Sequence, residues 1–286
     1  MTVQAENRSV PAIAVSSESD DRLRAQKISV ARRRRQFMLN VSIRVVSLFV
    51  VLVIWQIFGA RVDQSLFTTP LAIAEAAVEM IGSGELWTYL APSLLVLAIG
   101  LSLAAVIGVL IGLLLARFWV LDVAFGVYIT FLYSIPSVAL VPLIVLWAGF
   151  ATISKIIILF LFAFFPMVIN TYQGVKNVDP KLIEVGRSFR CSERQLWANI
   201  VLPSALPFIV TGLRLAVGRG LIGMVLADLY TAISGIGYLI VRTASTYEVN
   251  KMFVPIVTLG LLGVTLTACV RFVETLVAPW TAAGKD

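Results

Sequence analysis

The 286-residue chain contains no histidine and two cysteines, and only 14% of its residues are charged. Without histidine, and with Cys191 and Cys269 far apart, a disulfide framework and the usual zinc sites are excluded. Both cysteines are expected to be free thiols, and neither a metal nor a cofactor is expected. The charged fraction falls well below the roughly 25% of a typical soluble domain. No G-x-x-x-x-G-K-[ST] run occurs, the one Gly-Lys being Gly284–Lys285 before Asp286, so the chain has no P-loop with which to bind ATP. A nucleophile–base constellation is also missing, which argues against an intramembrane enzyme.

What is present is apolar. Hydrophobic residues make up 59% of the chain, mean hydropathy is +0.94, and several runs approach the roughly 20 residues that cross a bilayer as a helix. The runs are continuous and do not alternate, so they predict helices and not barrel strands. An all-α integral membrane protein follows, with the lipid bilayer as its first partner. The net charge of +7 does not suggest nucleic acid. The basic residues gather in "RLRAQKISVARRRRQ", in one polar loop and near helix ends, not in a binding patch.

Six spans are expected, near 43–59, 92–116, 123–149, 153–172, 206–230 and 252–277. The second holds Gly108 and Gly112 in a spacing that lets another helix approach closely. Pro136 and Pro142 predict a kink in the third, and Pro166 lies inside the fourth. Residues 1–40 are polar, rich in Ser and Arg and poor in aromatics, and are expected to be a disordered cytoplasmic tail. Residues 41–286 form the membrane domain. The first apolar run begins too late for a signal peptide and should remain as an anchor. A short interfacial helix is expected around 72–80, and the segment with Gly235 and Gly237 is open to either pore-lining re-entry or surface packing.

Of the 23 Lys and Arg residues, four (Arg61, Lys155, Arg242, Lys251) fall on one side of this topology. Arg214 and Arg219 fall inside span five, leaving 17 on the other side. Because Lys and Arg accumulate on the cytoplasmic side, both termini are expected to be cytoplasmic, and the "RRRR" cluster is read as a topology signal.

The stretch "EVGRSFRCSERQLWANIVLP", Glu184 to Pro203, interrupts the apolar pattern with three arginines and two glutamates. It lies in a cytoplasmic loop, about 174–204, and reads as two short helices. Asp179 caps the first with Pro180 at its first position, and Leu182, Val185 and Phe189 form its apolar stripe. Ser192 and Gln195 have capping-box spacing for the second, whose own face is Leu196, Trp197, Ile200 and Val201. Pro203 is expected to break it. The stripes need a cover, either the membrane core or a groove on a soluble partner.

These residues carry a resemblance. The pattern E-V-G-x-x-x-R, nine residues, then I-x-L-P resembles the E-A-A-x-x-x-G-x9-I-x-L-P loop of bacterial ABC-importer permeases. Glu184, Ile200, Leu202 and Pro203 match it outright, and Val185 and Gly186 stand at its small positions. The stretches 135–155 and 202–229 look like the nitrate/sulfonate/taurine type, and the likeness covers about residues 90–280. It implies a type I importer permease in the bacterial inner membrane. The loop, with Phe189 and Arg190, would then be the coupling helix docking on separate ATPase subunits. The permease would work as a homodimer fed by an extracytoplasmic solute-binding protein. Arg190 departs from the family's glycine, which would supply a left-handed turn; a non-glycine residue in that conformation costs about 1 kcal/mol, and the open alternative is a turn that is not left-handed, with Ser192 starting the second helix.

Charges inside spans are functional candidates. Arg219 lies between Gly218 and Gly220 near the midplane, and its planar fork suits a carboxylate, sulfonate or nitrate. A structural ion pair is the competing reading. Arg214 sits nearer the cytoplasm and can snorkel. Asp228 is read as a gate or packing partner toward the outer end. Tyr133, Ser134 and Ser137, beside Pro136, offer hydrogen bonds to a pathway. The alternative function, an ion-coupled secondary transporter, is disfavoured because no repeated pair of broken helices appears and histidine is absent.

Overall fold

The structure, a computed structural model, describes residues 12–63 and 66–278. All regular structure in them is helical. The chain divides into two units, the first ending at Arg61 and the second beginning at Val62.

The first unit is one helix, α1, Ala12–Gly59. Its polar part falls within the expected tail, of which residues 1–11 lie outside the described residues. Between positions 12 and 58 the sequence has neither Pro nor Gly, so nothing local stops a helix from propagating out of the apolar part into the polar part. Met38–Gly59 is apolar enough to cross a membrane, with mean hydropathy 2.3.

The second unit holds α2 (Pro70–Gly82), α3 (Glu85–Arg117), α4 (Trp119–Ser134), α5 (Ser137–Ala148), α6 (Thr152–Lys176), α7 (Pro180–Ser188), α8 (Glu193–Leu196), α9 (Leu202–Thr231), α10 (Ile236–Ser245) and α11 (Val249–Val277). Its centre is α6, held between α3 and α9. Of its most apolar window, 56% is buried, against 28% for α3. Small residues let these helices close up, since lipid supplies no hydrophobic drive between spans. A Cβ on Gly112 would lie 2.7 Å from that of Thr171, and one on Gly212 2.9 Å from that of Asn170. The expected close neighbour of Gly108 and Gly112 is thus α6. Leu159, Ala163 and Met167 of α6 meet Val96 and Ala104 of α3 and Ala216 and Met224 of α9 in the buried core.

Among the described residues five helices are long and apolar enough to span, and α4 with α5 makes a sixth segment, bent by 96°. The single kinked helix expected over 123–149 is therefore two helices. Pro136 is the cause. A residue before proline avoids the helical region, and Ile135 is extended at φ −70°, ψ 128°. The expected interfacial helix is α2, capped by the Thr69 hydroxyl, which accepts from the Ala72 amide, with Pro70 in its first turn.

Exposed ion pairs mark the two ends of the bundle. Arg117–Glu193 at 2.8 Å and Lys176–Asp122 at 3.0 Å lie at the end that carries α7 and α8, the hairpin side. Lys251–Glu79 at 3.0 Å and Arg242–Glu85 at 3.4 Å lie at the far side. Such exposed pairs are each worth about 0–1 kcal/mol, so they label the ends more than they hold them.

Candidate functional site

On the hairpin side, local chemistry builds α7 and α8 as the sequence predicts. The Asp179 carboxylate accepts from the Lys181 amide at 2.9 Å with Pro180 opening α7. Ser192 and Gln195 form the full capping box, with the Ser192 amide donating to Gln195 Oε1 at 2.8 Å. Between them α7 ends in a Schellman turn. The Cys191 amide donates to the Gly186 carbonyl at 3.0 Å and the Arg190 amide to the Arg187 carbonyl at 2.8 Å. This geometry requires a left-handed residue, and Arg190 supplies it at φ 55°. The turn keeps the geometry a glycine would give while carrying the cost of a side chain there.

Gly186 decides how the hairpin closes. It is buried, and a Cβ on it would come 2.8 Å from Ile200 Cδ1 and closer still to Leu196. Leu196 and Val201 are buried against the bundle. The α7 stripe faces the other way: Leu182 is 48% exposed, Val185 52% and Phe189 80%, with Glu184 exposed beside them. One stripe is covered by the chain itself; the other stands uncovered. Pro203 does not break the second helix. A π turn over Trp197–Val201, closed by the Leu202 amide donating to the Trp197 carbonyl, carries α8 into α9 as a continuous segment, Glu193–Thr231. Proline is tolerated there because the π turn has already interrupted the α-helical hydrogen-bond ladder directly before it.

In mid-bundle the structure brings Arg219 and Tyr133 together. The Arg219 guanidinium donates to the Tyr133 hydroxyl at 2.9 Å and lies over its ring at 5.0 Å. Arg219 is exposed, twelve residues before the end of α9 at Thr231, or about 18 Å along the axis. Ser137 opens α5 beyond the break and is half-buried. Tyr133 also borders a cavity of about 950 Å³ between α4 and α6, lined by Thr130, Ser134, Gln173 and, at its hairpin end, Asp122 and Tyr172.

Asp228 is separate from this group. It is fully buried at the far side, where Lys155 Nζ approaches its Oδ1 at 2.8 Å and the Ser93 hydroxyl donates to its Oδ2 at 2.6 Å. Lys155 also donates to the Ser234 carbonyl at 2.6 Å, and the Ile236 amide donates to the Ser93 hydroxyl at 2.8 Å. Gly235, at φ 100°, has its missing Cβ directed into the Asp228 carboxylate. The Gly235–Gly237 segment is packed inward and not on the surface: α10 begins on a buried ionic cluster joining α3, α6 and α9.

Lys155, expected at the outer end of span four, is thus 3% exposed in the first turn of α6. Sequence reasoning missed its pairing, as it missed Ser93 and the Asp122–Tyr172–Lys176 cluster. The available signal was two opposite charges at the far ends of spans four and five. Arg214, expected to snorkel, pairs with Glu274 of α11.

The described residues make a bundle of membrane-length helices carrying a capped hairpin with an exposed apolar stripe, the build of a membrane-spanning protein with an apolar face left outside its own core. Comparison with known proteins agrees. The profile of the family described as binding-protein-dependent transport system inner membrane component matches residues 104–282. A putative aliphatic sulfonates transport permease of Bacillus subtilis, SsuC, is 35% identical over 233 residues, covering 81% of this chain and 84% of that one. The nitrate import permease NrtB of Synechocystis is 29% identical, covering 82% and 88%. Among solved structures, the inward-facing MetNI methionine ABC transporter matches with a TM-score of 0.53 at 18% identity, over 67% of this chain and 95% of that one, a likeness of fold. The chain belongs to the binding-protein-dependent ABC-importer permease family.

Proposed function

We propose that this permease translocates a small anion of the sulfonate, nitrate, bicarbonate or organic-acid class as one of two identical subunits. Two separate ATPases dock on the hairpin side, and an extracytoplasmic binding protein delivers the solute at the far side. Both termini are then cytoplasmic, in keeping with the Lys and Arg asymmetry. Sulfonate and nitrate appear in the names of the relatives above, and this supports the substrate class.

At the coupling surface Val185 and Phe189, with Leu182, enter an apolar groove on the ATPase, and Glu184 fixes register at its rim. Gly186 and Ile200 keep α7 seated on the second helix. Arg190 sets the turn, and Leu202 with Pro203 transmits movement into α9. This division of labour is supported by the exposure of the α7 stripe beside the burial of Gly186.

The observation that carries the anion reading is the exposed Arg219 guanidinium at mid-span, which among the described residues donates to the Tyr133 hydroxyl and meets no carboxylate. A charge at that depth is costly, so it needs a pathway or partner surface to face. Tyr133 and Ser137 then flank the path, and Asp228 holds its far end in shape.

The test is uptake by the reconstituted complex. Arg219→Ala is expected to lower uptake by about tenfold or more, since a charge-assisted hydrogen bond is worth about 1.5–3 kcal/mol. Yield of the complex should hold, and Arg219→Lys should recover part of the loss because it lacks the planar fork. A well-assembled Arg219→Ala complex with normal uptake overturns the reading.

A further inference from the structure

The α4–α6 cavity has a shape the function above does not yet use. No residue of α4 is buried, and the helix stands off from α6 with the cavity between them. At one end Tyr133 meets Phe165 with ring centroids 6.0 Å apart, beside Arg219. The hairpin end is lined by Asp122 and Tyr172, with Lys176 bound to both beside it. Lys176 Nζ approaches Asp122 Oδ2 at 3.0 Å, the Tyr172 hydroxyl donates to the same oxygen at 3.0 Å, and the Lys176 ammonium lies 5.4 Å from the Tyr172 ring centre. From Asp122 to Tyr133 along α4 is about 16 Å, roughly half of a bilayer's hydrocarbon core. Thr130 and Ser134 line this space, their hydroxyls donating to backbone carbonyls one turn back and able to rotate toward an anion as donors.

The position of the closing cluster matters as much as its chemistry. Lys176 is the last residue of α6, and Asp179, the cap of α7, follows three residues later. Lys176 is therefore the member of this cluster that the chain ties most closely to α7. Lys176 and Asp122 are also only partly exposed, 44% and 22%. Such a pair holds a position yet opens with little work, unlike the buried Lys155–Asp228 pair.

We propose that the α4–α6 cavity is the hairpin-side half of the solute path, and that Asp122, Tyr172 and Lys176 form its latch, opened by movement of α7. While closed, the pair is neutral and presents an anion with no attracting charge. When it parts, Lys176 becomes a second cation beyond Arg219, drawing the anion onward, and Asp122 swings aside. The inference rests on the anion reading above.

The experiment uses the full complex in inside-out membrane vesicles, with Cys191 and Cys269 replaced by serine and Thr130→Cys as the reporter. A membrane-impermeant maleimide is the probe. Asp122→Asn and Lys176→Met should each speed labelling by about fivefold, the scale of one partly exposed ion pair. The exchanged pair, Asp122→Lys with Lys176→Asp, should bring the rate back toward that of the parent. Separately, Thr130→Trp, which fills the cavity, should abolish uptake while complex yield is kept. Labelling that ignores both single variants, or normal uptake with the cavity filled, overturns the proposal. The anion reading is judged apart from this, by Arg219→Ala uptake, because labelling of Thr130→Cys does not depend on what the solute is.

Discussion

Lys155 and Asp228, 73 residues apart in sequence, face one another at 2.8 Å with both side chains almost wholly buried. Each also serves α10, through Ser234 and through the Gly237 amide. Because the interior amplifies charge, the pair tolerates the removal of both members better than the loss of one. Lys155→Met or Asp228→Leu alone is expected to destabilise by about 3–5 kcal/mol, seen as lost yield and a lower Tm in detergent. The double variant should recover much of it. A single variant as stable as the parent would mean the far-side cluster is not held by this pair.

Gly186 makes a second, sharper prediction. Gly186→Leu must push α7 off Leu196 and Ile200, so solute-stimulated ATP hydrolysis should fall to the basal rate while membrane insertion is normal. Glu184→Lys should weaken ATPase association through charge alone. Full stimulation in both variants would place the docking surface elsewhere.

The left-handed Arg190 predicts a stabilising change. Arg190→Gly removes a side chain from φ 55°, and hydrogen exchange of the α7–α8 amides should slow by about fivefold, corresponding to about 1 kcal/mol. Arg190→Ala keeps the Cβ and should give no such slowing. Equal exchange in the parent and the glycine variant would show that the turn is not strained.

The charge distribution along the chain predicts orientation. A reporter active only outside the cytoplasm, fused after Asp286, should be silent, and the same reporter placed between Gly82 and Glu85 should be active. The reverse pattern would invert the bundle.

How much of this could be read from sequence depends on the range of the interactions. The caps at Asp179 and Ser192 join neighbours in the chain, so residue types and spacing revealed them. That some helix would approach Gly112 closely was legible for a similar reason, because small residues at that spacing have few other uses in a span, but that it is α6 was not. The Lys155–Asp228 and Asp122–Lys176 pairs depend on how helices distant in sequence register against each other, which no local pattern encodes. Proline misled in both directions. At Pro136 it gave a 96° break where a kink was expected, and at Pro203 a π turn absorbed it. Arg190 hid its left-handed turn because only the resemblance to a glycine-bearing loop pointed there.

The central claim is that this chain moves its solute with work supplied by a separate ATPase. Uptake into proteoliposomes holding the chain, its ATPase and its binding protein tests that most directly, with ATP present or absent and the ion gradients intact or collapsed. Uptake is expected to need ATP and the ATPase, to survive collapse of the gradients, and to be lost when Phe189→Asp strips the α7 stripe of its apolar tip. Uptake by the chain alone, independent of ATP and abolished by an ionophore, would contradict it and leave an ion-coupled carrier.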